Sequence, residues 1–154
     1  MRRRYLLKAG LATGSLAVAA KAGLLWPVTV LASDWPADGF SAMSVEDAMA
    51  ILFEGAPIEQ SERVQLEAKA IAEDGASVPI AIRTDLSGPL LLTLFSASNP
   101  TPAVGRFELA PQLGGQLDTR VKMADSGDVI AVVTADGKHF SARRHIQVAA
   151  GGCG

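Results

Sequence analysis

After Pro57 the apolar residues of the chain fall at every second position, and this period constrains the fold more than any other feature. Val64, Leu66, Ala68 and Ala70 alternate with Arg63, Gln65, Glu67 and Lys69. Successive side chains of an extended strand point to opposite faces, so this pattern predicts a strand with one wet and one buried face. Val78, Ile80 and Ile82 repeat it after the Glu73-Asp74-Gly75 turn, with Pro79 marking an edge position or a bulge, because proline cannot donate to a ladder. Leu90 to Phe95 is a nearly continuous apolar run, as expected of a strand covered on both faces. Asn99-Pro100-Thr101-Pro102 then breaks the chain. Phe107 and Leu109 suggest a short strand, and Leu117, Thr119, Val121 and Met123 form another alternating set. Val129 to Thr134 reads as a strand, joined by an Asp136-Gly137 hairpin to a last one carrying Phe140, Ala142, Ile146 and Val148 on one face. About seven short strands with regular punctuation predict an all-β, immunoglobulin-like sandwich, without the paired cysteines and core tryptophan of antibody domains.

Before Pro57 the period is helical. Ser33 to Phe40, with Pro36 and Gly39, reads as an extended lead-in. Ser44 followed three residues later by Asp47 approximates a capping box, and Val45, Ala48, Met49 and Leu52 share one helical face. Gly55 and Pro57 end this short N-terminal helix.

The first 32 residues have the make-up of a targeting peptide: a basic start, an apolar stretch and small residues near a cut site after Ala32. Arg3-Arg4-Tyr5-Leu6-Leu7-Lys8 fits the twin-arginine pattern, so Arg3 and Arg4 are the expected export signal and the periplasm the expected destination. Lys21 interrupts the apolar run before it reaches the ~20 residues of a spanning helix, which argues against a stable membrane anchor. Residues 33–148 are then the β-sandwich domain with its N-terminal helix and residues 149–154 a tail. Five of the 14 basic residues precede Ser33 and all 16 acids follow it, so the mature part is acidic. An acidic domain without a basic stripe excludes nucleic acid as a partner.

The last strand ends near Val148, and Ala149-Ala150-Gly151-Gly152-Cys153-Gly154 follows. A run of this kind cannot pack, and its glycines should make a flexible, slim arm. From Val148 to Cys153 it reaches roughly 17 Å when extended, enough to present a thiol inside another protein's cleft. Cys153 is the only cysteine, so no internal disulfide can occupy it. No His, Lys or Arg in the tail would lower its pKa, which suits a handle activated by other proteins better than an autonomous catalyst. Two readings from other classes stay open: an exported thiol-dependent redox protein that uses Cys153 directly, and a structural sandwich whose tail forms an intermolecular disulfide.

Other constellations are weak. His139 and His145 lie six apart in the last strand and can share a face, but two histidines without a third spaced ligand do not make a metal site. No acid–base carboxylate pair, phosphate-binding glycine loop or nucleophile elbow occurs. No metal, cofactor or catalytic residue is expected.

The chain resembles the SoxY family, carriers of bacterial sulfur-oxidising (Sox) systems. The resemblance rests on the twin-arginine start, Ile71-Ala72-Glu73-Asp74-Gly75-Ala76 followed by Val78-Pro79, Asn99-Pro100-Thr101-Pro102, Ala135-Asp136-Gly137, and above all Gly151-Gly152-Cys153-Gly154. The family's usual ending is Gly-Gly-Cys-Gly-Gly, from which this chain departs in stopping at Gly154. The resemblance implies that Cys153 is the attachment point for thiosulfate-derived sulfur, with Gly151, Gly152 and Gly154 as its flexible arm. It also implies a heterodimer with a second small β-sandwich subunit, SoxZ. The enzymes it implies are a haem-containing one that loads the thiol, a metal-dependent thiosulfohydrolase that releases sulfate, and in some systems a sulfane dehydrogenase. The carrier itself would catalyse nothing.

Overall fold

A computed structural model of the chain describes residues 35–149; the export segment, Cys153 and the arm glycines lie outside them. Two helices open the described part, α1 (Ala37–Ser41) and α2 (Val45–Leu52). Nine strands follow: β1 (Ile58–Gln60), β2 (Val64–Ala68), β3 (Ile71–Ala72), β4 (Val78–Thr84), β5 (Leu90–Ser96), β6 (Ala103–Leu109), β7 (Gln116–Val121), β8 (Gly127–Ala135) and β9 (Lys138–Val148). They form an immunoglobulin-like sandwich. One sheet has the order β1-β9-β8-β5-β6, with β3 also on β9, and the other the order β2-β4-β7. Nine replaces the expected seven because β1 and β3, of three and two residues, are too short to show a period. Both run parallel to β9, one beside each end of it.

The alternating residues face each other across the sandwich. Val64, Leu66, Val78, Ile80, Ile82 and Val121 of the small sheet meet Leu90, Leu92, Leu94, Val129, Ala131, Val133 and Ile146 of the large one. The reverse side of the small sheet carries Gln65, Glu67, Arg83, Asp118 and Arg120 and is wet, with Arg83 paired to Asp118 at 2.7 Å.

A second core lies on the other side of the large sheet. Ala48, Leu52 and Phe53, from α2 and its end, pack on Phe95, Ala103, Ile130 and Val132. This explains the unbroken apolar runs of β5 and β8, whose two faces serve two cores. It also bears out the reading of Leu90 to Phe95 as a strand covered on both faces, the outer cover being the chain's own helix.

The local signals act as expected at several points. The Ser44 hydroxyl accepts from the Asp47 amide at 3.0 Å, although the Asp47 carboxylate returns to that hydroxyl and not to the Ser44 amide. Asp136 (φ 49°) and Gly137 (φ 73°) both take positive φ, as the tight β8–β9 hairpin demands.

One local expectation needs correction, and the edge position expected at Pro79 is met only locally. Residues 37–41 are helical, not extended: Gly39 lets α1 lie on α2, where a Cβ would fall 2.5 Å from Leu52. Pro79 sits in β4, the central strand of its sheet, without a break in register. It is tolerated because β2 pairs only from Ile80 onward, so at Pro79 the strand is flanked by β7 alone.

Candidate functional site: the root of the cysteine arm

Strand β9 is the longest in the described part and ends where the arm begins. Three amides lock that end. Gln147 donates to the Ala70 carbonyl, Val148 to the Ser126 hydroxyl and Ala149 to the Ala72 carbonyl, each at 2.9 Å. The last two steps of β9 are thus held by β3 on one side and by the turn before β8 on the other. Gly75 makes room for this corner, since a Cβ there would lie 2.6 Å from the Met123 carbonyl and 3.0 Å from a Val148 methyl. Exposed carboxylates flank the anchors in sequence, Glu73 and Asp74 after Ala72 and Asp125 before Ser126.

The root therefore starts at Ala149, one residue later than the strand pattern indicates. Cys153 is four residue steps further on, a reach of about 13–14 Å at ~3.3–3.6 Å per residue. The anchors Ala70, Ala72 and Ser126 were not legible in the sequence; a two-residue strand carries no period, and a serine in a turn is commonplace. Cys153, Gly151, Gly152 and Gly154 lie outside the described residues, as do Arg3 and Arg4.

The two histidines share the outer face of β9, as their even spacing requires, but have separate surroundings. His139 is half-buried with its ring centroid 4.8 Å from that of Phe53, and its Nδ1 lies 2.8 Å from the Thr134 hydroxyl. Burial, and then the charge of Arg106, hold its pKa below the ordinary histidine value. His145 is exposed, with Nδ1 2.8 Å from Asp128, whose other oxygen is 3.3 Å from Arg143. Six residues of strand separate the two rings by about 20 Å at ~3.4 Å per residue. Among the described residues no group of three His, Cys, Asp or Glu is placed to hold a metal ion.

A groove of about 650 Å³ opens on the side of the sandwich where the edge strands β6 and β7 face each other. Its walls include Leu94, Val104, Phe107 and Val121, while the Arg120 guanidinium donates to the Ser77 hydroxyl at 3.3 Å. Asn99 closes one end: its Nδ2 donates to the Lys122 carbonyl and its Oδ1 accepts from the Ala124 amide, both at 2.8 Å. The Asn99–Pro102 break is thus a fixed wall, a role that the prolines signalled only as an interruption.

The family model described as "Sulfur oxidation protein SoxY" matches residues 49–153, from α2 through to Cys153. Among solved structures, the sulfur carrier protein SoxY from Chlorobium limicola f thiosulfatophilum is 34% identical, with a TM-score of 0.62; the match covers 74% of this chain and 99% of that one. A superoxide reductase (neelaredoxin) from Ignicoccus hospitalis is 16% identical at a TM-score of 0.47, covering 57% and 81% of the two chains, too distant to bear on function. No curated protein matches by sequence.

Proposed function

Because the chain belongs to the SoxY family of sulfur oxidation proteins, we propose that it is the periplasmic sulfur carrier of a thiosulfate-oxidising system and holds its cargo covalently on Cys153. The observation that carries this reading is the family match running unbroken into Cys153, on an arm whose root is fixed at Ala149. A locked root with a glycine-rich extension lets a rigid body offer one thiol to several enzymes in turn, at an effective concentration set by arm length.

The chemistry balances with partners of the classes that the family resemblance implies. The Cys153 thiol and thiosulfate join through a new S–S bond, losing the thiol proton and two electrons, which a haem-containing enzyme accepts. Water, at a metal-dependent thiosulfohydrolase, then cleaves the terminal sulfonate as sulfate and two protons, leaving a persulfide anion on the arm for a sulfane dehydrogenase to oxidise. The chain's own part is to supply and position the sulfur, not to catalyse. A second small β-sandwich subunit of the SoxZ type completes the carrier. Twin-arginine export through Arg3 and Arg4 brings it to the periplasm.

Intact-mass measurement of the mature protein from thiosulfate-grown cells tests the central claim. Sulfur adducts removable by reductant should appear in the parent and vanish in Cys153→Ser, with circular dichroism unchanged. Adducts that persist in Cys153→Ser, or a parent protein that never carries one, would sink the reading.

A further inference from the structure

Residues 122–126, between β7 and β8, belong to neither strand nor helix, so their backbone groups need partners from elsewhere in the chain. The β5–β6 connection supplies several. The Asn99 carboxamide donates to the Lys122 carbonyl and accepts from the Ala124 amide, both at 2.8 Å. It thus serves an acceptor and a donor two residues apart, as a neighbouring strand would, and a carboxamide is suited to this because it carries both functions. The Ala97 amide donates to the Asp128 carbonyl at 2.8 Å, and a Cβ on Gly127 would fall 3.1 Å from that of Ser98. Met123 is pinned as well: its amide donates to the Gly75 carbonyl at 2.8 Å, and its side chain is fully buried.

This turn reaches the root of the arm through one side chain. The Ser126 hydroxyl accepts from the Val148 amide at 2.9 Å. On one side Val148 stands opposite Ala72 of β3. On the other, β8 begins only at Gly127, opposite Ile146, so β9 has run past the strand that would flank it. Ser126 takes the place of β8 as second neighbour for the last step of β9. Without it the strand end is held on one side alone, and an end so held opens more readily.

We propose that Asn99 and Ser126 are positioning residues for the loading of Cys153: Asn99 fixes the turn, the turn holds Ser126 on Val148, and the arm starts from a set point at Ala149. The inference rests on the carrier reading above and adds the residues that decide where the arm begins. Neither has to touch the thiol to act. An arm that starts at Gln147 in place of Ala149 has six steps to Cys153 in place of four. Effective concentration falls roughly as the −3/2 power of chain length, so this lengthening alone costs the thiol about twofold at a fixed target.

The experiment uses the full mature chain and two readouts. Amide exchange followed by NMR reads the order of the root, and the rate at which the haem-containing enzyme loads thiosulfate onto Cys153 reads its consequence. The decisive amide is that of Ala149, because its own acceptor, the Ala72 carbonyl, is untouched by the substitutions. In Ser126→Ala it should exchange roughly threefold faster or more, while the Val132 and Val133 amides within the large sheet keep the parent's rate. Loading should slow about twofold or more, with alkylation of Cys153 by iodoacetamide unchanged. Ser126→Thr keeps the hydroxyl and should restore both readouts. Asn99→Asp keeps the acceptor for Ala124 but loses the donor to Lys122, and should shift both in the same direction as Ser126→Ala. Ser61→Ala, which removes a hydroxyl bonded to the Arg63 amide beside the first half of β9, should match the parent. Ser126 is exposed, so Ser126→Ala decides the matter even if Asn99→Asp fails to fold. An Ala149 amide that exchanges at the parent's rate in Ser126→Ala overturns the inference. So does faster exchange without slower loading, and in both cases the carrier reading stands. If the parent itself is never loaded, the carrier reading fails and the inference falls with it.

Discussion

The half-buried ring of His139 sets one pH dependence of the fold. Burial first, and Arg106 second, lower its pKa, so the native state binds its proton less readily than the unfolded chain does. The resulting stability is present above the unfolded pKa of ~6.5 and is lost as pH falls through the lower folded value. Thermal midpoints measured from pH 7.5 downward should therefore decline more steeply for the parent than for His139→Gln; parallel curves would show that the ring titrates without effect on folding. The arm has its own residue-scale test. Gly152→Val keeps the thiol of Cys153 but adds a β-branched side chain beside it, restricting φ and widening the arm. It should react with a small alkylating reagent at a near-normal rate yet be loaded far more slowly by partner enzymes. Equal turnover with the parent would remove the argument for a slim arm.

At the scale of elements, α2 determines which surfaces the sandwich exposes. Leu52 is 7% exposed and fills the space between Gly39 and the outer face of the large sheet. Leu52→Ala should destabilise the domain by about 2–5 kcal/mol and uncover apolar surface over Phe95 and Ile130. Denaturant titration reads the first effect and binding of a hydrophobic dye the second; a loss below ~1 kcal/mol would mean that the helix is an appendage. The helix was legible in the sequence from Ser44, Asp47 and the spacing of Val45, Ala48 and Leu52. What it covers was not. Periodicity marks a face as apolar but does not say which other face meets it, so Leu90 to Phe95 read as covered on both sides without showing that Ala48 and Phe53 supply the outer cover.

For the whole molecule, the proposed function divides the chain's tasks between the basic leading segment, for export, and the acidic folded part, for carriage. Arg3→Lys with Arg4→Lys should leave the folded domain intact and stop its export, so that the protein accumulates in the cytoplasm with Met1 or its direct successor retained; periplasmic protein beginning near Ser33 in that variant would refute the twin-arginine reading. The sequence by itself determined whatever depends on near neighbours. The two-residue period of Val78 to Ile82 selects a strand, the Asp136-Gly137 pair selects a tight turn, and Ser44 with Asp47 selects a helix start, because backbone sterics and side-chain alternation act within a few residues. Only the tertiary structure decided how distant segments meet. It made Pro79 acceptable in a central strand by ending β2 at Ala68, brought Ala70, Ala72 and Ser126 to the root at Ala149, and left β6 and β7 as facing edges around the groove. These contacts join residues up to about 80 positions apart, and their energy comes from burial shared between faces, which no local pattern encodes.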